Sequence, residues 1–362
     1  MVGSKDRVAF WDNAKFLMLV LVVAGHLTDG IRFDGLAPNA FYTLIYLFHM
    51  PVMIFITGYF SRPELSRKVV SQVVQLLATY LLWELLIGGF RYVLFDWTPP
   101  GSFISTPSSA MWFLLSLAWL KLLLPLFAWL RHPLLIAVVV SLMAGAFQDF
   151  DQTLSVMRTL SFLPFFVAGY VLKERGLLAK PWFEMPSTWL RLAAAAYFLV
   201  VTAILAFVLA RRDLPALYRW EYRRYDYWQL TDSDRARIEI PPFDGVVDSP
   251  VLLLVNGVVV SGLLLILSVL ISLAVMILVP RRHTWFTVMG ENTLYIYLLH
   301  IPIIHAEMHH GVVSSVFASL GTAGYALVLL FAALLAWVLG SPLLKRVFRP
   351  IVEPNISLLV KP

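Results

Sequence analysis

The chain has 362 residues, of which 60% are hydrophobic and only 14% are charged. Soluble domains are nearer half apolar and a quarter charged, so this composition excludes an ordinary soluble protein and indicates a polytopic membrane protein. Cysteine is absent, which excludes a disulfide framework and a cysteine-bound zinc cluster. The net charge of +6 comes with no nucleic-acid-binding pattern and fits the basic bias of cytoplasmic loops.

Ten apolar stretches approach or exceed the roughly 17–25 residues that a helix needs to span a bilayer. They cover residues 10–27, 40–60, 69–94, 110–130, 134–147, 154–172, 192–210, 250–279, 285–304 and 312–342. The stretch at 134–147 is short, and we expect a tilted or partial span there. The first stretch follows basic residues, as in a signal peptide. It contains charged residues and no small-x-small site follows it, so we predict that it remains as the first transmembrane helix.

The charges between these stretches test the helix count. With the N-terminus in the cytoplasm, the inner segments hold 16 Lys or Arg and 5 Asp or Glu, whereas the outer segments hold 8 and 14. This asymmetry is the positive-inside bias of membrane proteins. We therefore expect an all-α bundle of ten transmembrane helices that encloses a polar cavity. Residues 1–362 then form one integral domain with both termini cytoplasmic and one long extracytoplasmic loop at 211–249.

The long loop at 211–249 alternates aromatic residues with Arg and Asp. Its rings are Tyr218, Trp220, Tyr222, Tyr225, Tyr227 and Trp228. Flat rings stack on sugar faces, and Arg and Asp side chains hydrogen-bond to hydroxyl groups, so the loop is a candidate for acceptor contact. Trp and Tyr also favour the headgroup layer of a bilayer, which would make the loop an interfacial cap. The sequence leaves both interpretations open.

Ionisable side chains on the first helix mark a candidate site, because charges at membrane depth are costly. Lys15 and His26 are 11 residues apart, about three helical turns plus 20°, so they share a face and lie about 16 Å apart along the axis. Asp12 belongs to the same stripe. The stripe can form one wall of a polar cavity. Alternatively, Asp12 and Lys15 pair near the inner interface while His26 meets the outer headgroups.

Two further histidines indicate that the cavity is real. His49 lies beside Pro51 in the second span, and His300 lies beside Pro302 in the ninth. In the predicted topology both share the middle or outer part of the membrane with His26, although the chain has only eight histidines. This common depth predicts a polar site, in which His49 supports the cavity wall next to a proline kink.

Other intramembrane charges have plainer interpretations. Glu84 and Lys121 lie near mid-membrane on consecutive helices, and we expect them to form a structural ion pair. Arg91 and Arg158 lie near the outer ends of their helices, where long basic side chains reach the headgroups.

The chain resembles the integral-membrane acyltransferase 3 family, especially the branch similar to fucose 4-O-acetylases. The resemblance rests on five stretches in family order: "RVAFWDNAKFLMLVLVVAGH" (7–26), "FHMPVMIFITGYF" (48–60), "WFLLSLAWLKLLLP" (112–125), "LSFLPFFVAGYVL" (160–172) and "NTLYIYLLHIP" (292–302). It implies O-acyl transfer from acyl-CoA, usually acetyl-CoA, to a sugar or glycolipid hydroxyl at the outer face. The family typically has Arg ten residues before the helix-one histidine. Lys15 replaces it here, which keeps the charge and loses the bidentate fork.

The resemblance implies roles for the candidate residues. His26 would act as general base on the acceptor hydroxyl, because imidazole exchanges protons near neutral pH. Direct transfer and a transient acyl-histidine both remain open. Asp12 and Lys15 would order the helix-one stripe or the CoA arm. Tyr297 and His300 would polarise the carbonyl or position the acceptor.

The donor is expected to enter from the cytoplasm, because CoA phosphates are too polar to cross lipid. The inner basic residues are candidates to hold those phosphates, although they equally serve as topology signals. They are Arg62, Arg67, Lys68, Arg281 and Arg282, of which Arg67 and Lys68 match in position the basic residues that the family carries before its third helix. We expect acetyl-CoA as donor substrate, no permanently bound cofactor, no metal and no nucleic-acid partner.

The predicted setting is the inner (plasma) membrane, and the acceptor is a sugar, a polysaccharide or a glycolipid such as a trehalose mycolate. A transporter or flippase of a lipid-linked sugar is the alternative, since buried charges and proline-broken helices also line substrate paths. We detect no inverted repeat that would favour it. A non-catalytic receptor or scaffold gives no reason for the histidine layer.

Overall fold

The computed structural model describes residues 9–98, 100–148, 152–211, 217–231, 249–357 and 359. Within these residues the chain forms α-helices and short 3₁₀ turns, and no β-strand. The helices are α1 (Ala9–Thr28), α2 (Leu36–Tyr46), α3 (His49–Phe60), α4 (Arg67–Phe95), α5 (Trp112–Trp129), α6 (Pro133–Ala144), α7 (Val156–Glu174), α8 (Pro181–Glu184), α9 (Thr188–Arg211), α10 (Leu217–Glu221), α11 (Tyr227–Thr231), α12 (Pro250–Leu278), α13 (Thr287–Glu291), α14 (Thr293–His310), α15 (Val312–Leu339) and α16 (Pro342–Val352).

Eight helical segments of the described chain are long and apolar enough to cross a membrane. They are Ala9–Ile31, Leu36–Phe60, Arg67–Phe95, Ser109–Trp129, Thr153–Glu174, Thr188–Arg211, Pro250–Leu278 and Val312–Leu339. The predicted all-α integral membrane fold is therefore confirmed. Two of the ten expected spans, α6 and α14, are not among these eight segments. The 12 residues of α6 reach only about 18 Å, and α14 ends in a polar run of His and Glu. The count of ten and the cytoplasmic termini stay predictions.

Helix α1 occupies the centre of the bundle. It packs against α2, α3, α13, α14 and α15, and most of its side chains are buried. An apolar membrane helix can face either lipid or other helices, so the buried polar residues of α1, Asp12 and Asn13, are what suit it to a central position. Its few polar residues are thereby placed inside the protein rather than against lipid.

Asn13 fastens the N-terminal end of α1 to the segment before α13. Its amide nitrogen donates to the carbonyl oxygens of Pro280 and Arg282, each at 3.0 Å. Its amide oxygen accepts from the hydroxyls of Thr287 at 2.7 Å and Thr284 at 3.1 Å. Asn13 is fully buried, and these four bonds use both its donors and its acceptor.

The second span is broken between α2 and α3. The predicted stretch at 40–60 becomes two helices, with Leu47 and Phe48 between them. Pro51 follows within the first turn of α3 and has no N–H for the carbonyl four residues earlier, so a continuous helix would lose a bond there. The break sets Tyr46 and Met50 against the end of α1, where the site described next lies.

Candidate functional site

A cavity of about 340 Å³ lies at the C-terminal end of α1. His26 forms part of its wall, together with residues from α2, α3, α5 and α7, and the segment 218–225 of the long loop covers it. Its lining is Tyr42, Tyr46, Met50, Ser109, Trp112, Phe162, Tyr218, Tyr222 and Tyr225, with the charged residues Asp29, Arg32, Arg158, Arg219, Glu221 and Arg224. The cavity is therefore aromatic and strongly polar, although it adjoins membrane helices.

His26 and His300 form a hydrogen-bonded pair. The Nδ1 of His26 lies 2.9 Å from the Nε2 of His300, and the two rings stack with centroids 5.1 Å apart. The Nδ1 of His300 lies 3.0 Å from the carbonyl oxygen of Ile296. A carbonyl oxygen only accepts, so His300 carries its proton on Nδ1. For two neutral rings, His300 Nε2 then accepts from the Nδ1–H of His26.

This arrangement fixes which nitrogen of His26 is basic. With its Nδ1–H directed at His300, the lone pair of His26 resides on Nε2, and the ring lines the cavity. The sequence placed the two histidines in one layer, and the structure brings them into contact because α14 packs directly against α1. An imidazole oriented by a second group and facing a polar cavity has the geometry of a general base.

His49 and Tyr297 lie behind this pair. His49 is buried, its Nδ1 donates to the carbonyl of Ile45 at 2.5 Å, and its ring meets the edge of the cavity residue Tyr46 at 5.0 Å. The hydroxyl of Tyr297 donates to the carbonyl of Ala110. His49 thus contacts a residue of the cavity wall, and its supporting role stays a prediction, whereas the hydroxyl proton of Tyr297 is used in a bond to the backbone.

Asp12 and Lys15 do not join His26 in one site. Lys15 Nζ lies 2.7 Å from Asp12 Oδ1, as residues three apart on a helix permit, and Asp12 is buried. The cavity around His26 is lined by other residues. The predicted catalytic stripe therefore divides into an ion pair at one end of α1 and a histidine pair at the other.

Arg281, one of the predicted CoA-binding residues, has internal hydrogen-bond partners, and its role as a phosphate ligand stays a prediction. Its guanidinium donates to the carbonyls of Met276 at 2.9 Å and Ile277 at 2.8 Å, at the C-terminal end of α12, and to Phe183 at 3.0 Å. Burial, with a smaller contribution from Arg191, lowers the pKa of Arg281 to about 10, so the group stays cationic at neutral pH. It fastens the end of α12, whose last carbonyls need donors.

The other four predicted CoA-binding residues remain accessible. The side chains of Arg62, Arg67, Lys68 and Arg282 are exposed, the first three around the start of α4 and the last after α12. Exposed cations of this kind can meet a polyanion without losing an internal bond. Their role as phosphate ligands stays a prediction.

Arg158 belongs to the cavity, which the sequence did not indicate. Instead of reaching for headgroups, its guanidinium lies 4.7 Å from the centre of the Trp112 ring, and its Nε donates to the carbonyl of Tyr222 at 3.3 Å. A cation near a helix end is ordinarily explained by contact with headgroups, so the sequence held no signal that set Arg158 apart.

The long loop is anchored over the cavity by Tyr227. The ring occupies a slot between Gly145 and Gly257, where a Cβ atom on either glycine would lie about 2.5 Å or less from it. The Tyr227 hydroxyl donates to the carbonyl of Leu142 at 2.6 Å. On the same loop, the hydroxyl of Tyr222 forms a hydrogen bond with the hydroxyl of Tyr42. Of the predicted loop, the part at 218–225 lines the cavity, whereas residues 212–216 and 232–248 lie outside the described residues.

Glu84 and Lys121 have separate partners, so the predicted ion pair between them is wrong. Glu84 Oε1 accepts from the backbone N–H of Ser108 at 2.7 Å. Lys121 Nζ lies 3.2 Å from the amide oxygen of Gln72. The loop before α5 offers the carboxyl group a nearer donor than the lysine.

Among the described residues, no three His, Asp or Glu side chains cluster closely enough to hold a metal ion.

An apolar helical bundle with an oriented imidazole in a polar cavity defines a multi-pass membrane protein with a candidate acid–base centre. The acyltransferase 3 family model, described as an acyltransferase domain, matches residues 8–341. The chain therefore belongs to the acyltransferase 3 family. The family resemblance drawn from the five sequence stretches is thereby confirmed.

Two curated relatives carry the name nodulation protein NolL. The protein of Mesorhizobium japonicum is 36% identical over 95 residues, and that of Sinorhizobium fredii is 33% identical over 93 residues. Each match covers 24% of this chain and 25% of the relative. The matched region is thus only about a quarter of these relatives. No solved structure matches the chain significantly.

Proposed function

We propose that this protein is a membrane O-acyltransferase of the inner (plasma) membrane. It moves an acetyl or other short acyl group from cytoplasmic acyl-CoA to a hydroxyl of an extracytoplasmic sugar, polysaccharide or glycolipid. The observation that carries the proposal is the contact of His26 with His300, which leaves the Nε2 of His26 as a base at the wall of a polar cavity. Membership of the acyltransferase 3 family is the reason to propose acyl transfer as the reaction.

The reaction begins when His26 Nε2 takes the proton of the acceptor hydroxyl. The hydroxyl oxygen then attacks the thioester carbonyl carbon and forms the new C–O bond. The C–S bond breaks, and the CoA thiolate takes the proton from His26, so the products are an ester and free CoA thiol. His300 accepts the Nδ1–H of His26 throughout, which holds the ring in the reactive tautomer and stabilises its charged form.

Arg158 is suited to stabilise the negative charge that develops on the thioester oxygen. Its guanidinium is cationic, partly buried and part of the same cavity wall as His26. A fixed positive charge beside the reacting carbonyl stabilises an oxyanion more than it stabilises the neutral carbonyl. The accessible bases Arg62, Arg67, Lys68 and Arg282 would hold the CoA phosphates at the opposite end of the bundle.

The test is acetyl transfer by purified full-length protein in proteoliposomes. Radiolabelled acetyl-CoA is supplied with an envelope extract from cells that lack the protein, and label in glycolipid and polysaccharide is counted. We expect His26→Ala to lower the rate by about 10²–10⁴-fold, the range of a lost general base. His283→Ala, on an exposed loop, is the matched control and retains the rate. Full transfer by His26→Ala would remove His26 from the chemistry, and a flippase would incorporate no label.

A further inference from the structure

The cavity around His26 has more positive than negative side chains. Four arginines line it against two acids: Arg32, Arg158, Arg219 and Arg224 against Asp29 and Glu221. A membrane protein gains nothing in packing from such an excess, since each cation removed from water costs free energy unless something compensates it. The hydrogen-bond and ion-pair partners of each charged group therefore show which charges in the cavity are uncompensated.

Asp29 is already engaged. It forms an ion pair with Arg32, and the hydroxyl of Tyr42 donates to the same carboxylate oxygen at 2.7 Å. Arg32 also lies 5.0 Å from the centre of the Tyr218 ring. The ion pair of Asp29 and Arg32 has no net charge. Asp29 therefore does not balance the charges of the other three arginines of the cavity.

These three arginines contact rings and neutral groups. Arg158 lies over Trp112, and Arg219 lies 4.7 Å from the centre of the Tyr225 ring. Arg224 donates to the amide oxygen of Gln152 at 3.4 Å, and its buried Nε has no hydrogen-bond partner among the described residues. Within that part of the chain, no carboxylate lies within ion-pair distance of any of the three.

Glu221 does not balance them. It is only 4% exposed, and neither of its carboxyl oxygens has a hydrogen-bond partner in the described chain. Burial raises the pKa of Glu221 well above its usual range, against the opposing effect of Arg223. Burial thus opposes a negative charge on this carboxyl group, and its oxygens have no protein partner in the described chain.

We propose that Arg219 and Arg224 bind an anionic group of the acceptor, a phosphate or a carboxylate carried by the molecule whose hydroxyl meets His26. Guanidinium groups bind these planar or tetrahedral anions through paired N–H donors. The segment 218–225 sets these donors in the wall of the cavity that contains His26. This inference rests on the proposed function and adds the chemical class of the acceptor.

The first test is binding of small sugars to the full-length protein in nanodiscs, by calorimetry. Glucose 1-phosphate and glucuronate are compared with methyl glucoside, and their relative affinities tell phosphate from carboxylate. We expect at least one charged sugar to bind about tenfold or more tightly than methyl glucoside, and Arg224→Gln to remove that advantage. Arg211→Gln, at the exposed end of α9, is the matched control and keeps it. Equal behaviour of charged and neutral sugars, including no binding by either, overturns the inference.

The second test separates this inference from the proposed function. Envelope extract is divided by anion exchange, and each fraction receives labelled acetyl-CoA and enzyme. We expect label in the anionic fraction, and a rise of about tenfold in KM for that acceptor in Arg224→Gln with KM for acetyl-CoA unchanged. Label confined to the neutral fraction, or a rise in KM for acetyl-CoA instead, overturns the anionic acceptor and leaves acyl transfer standing. Absence of label from every fraction would contradict both the anionic acceptor and the proposed acyl transfer.

Discussion

The two ends of α1 use polar residues in opposite ways. At the N-terminal end, Asn13 uses its full hydrogen-bonding capacity on neighbouring segments, and Lys15 is paired with Asp12. At the C-terminal end, His26 has one nitrogen bonded to His300, and its ring lines a cavity. Buried polar groups whose bonds are complete stabilise a fold, whereas a group with one bond left open can act on a substrate.

The largest effect on stability is expected for Asn13→Ala. The change removes four hydrogen bonds and leaves buried carbonyls and hydroxyls with fewer partners, so we expect a loss of about 3–5 kcal/mol in the free energy of unfolding. Denaturant unfolding in one detergent measures it, with the exposed Asn355→Ala as control. Transfer per folded molecule should stay near that of the wild type. Unchanged stability would contradict a structural role for this end.

At the other end of α1, His300 is expected to affect rate rather than folding. His300→Leu removes the acceptor of the His26 Nδ1–H, and we expect kcat to fall about 100-fold. His300→Gln restores an acceptor at similar reach and should recover part of that loss. Single-turnover transfer rates and unfolding midpoints are measured for both variants. If Leu and Gln lower kcat equally at equal stability, His300 does not position His26.

A smaller loss of stability is expected for substitution of Lys15. Lys15→Ala removes the cationic partner of a buried carboxylate, so we expect a loss of about 1–2 kcal/mol in the free energy of unfolding and little change in transfer per folded molecule. Lys15→Arg keeps the charge and should retain most of that stability. A rate fall of more than tenfold in Lys15→Ala, without a stability change, would return Lys15 to the catalytic site.

The adjacent residues Arg281 and Arg282 give the smallest effects and a matched pair. Arg282→Gln removes an exposed cation, and we expect KM for acetyl-CoA to rise about two- to fivefold, less at high salt. Arg281→Gln removes donors from the end of α12 and should lower the unfolding midpoint while KM stays constant. The reverse assignment, with Arg281 governing KM, would show that the donor displaces its carbonyl partners.

The sequence predicted the all-α membrane fold and the family, because long apolar runs and ordered motifs survive without knowledge of packing. It also identified His26 and His300 as members of one layer. It could not predict that they touch, since helix rotation about its own axis is fixed only by neighbours. The internal partners of Arg281 could not be predicted for a similar reason: one of its acceptors, the carbonyl of Phe183, lies 98 residues away along the chain.

The slot that holds Tyr227 separates attachment from recognition. The ring is gripped by glycines on α12 and just after α6, while Arg219, Glu221 and Arg224 lie on the preceding stretch of the same segment. Under the proposed function, substitutions in that stretch would alter which acceptor is bound while Tyr227 keeps the segment attached to the bundle. Selectivity could then be changed by exchanging this short segment alone.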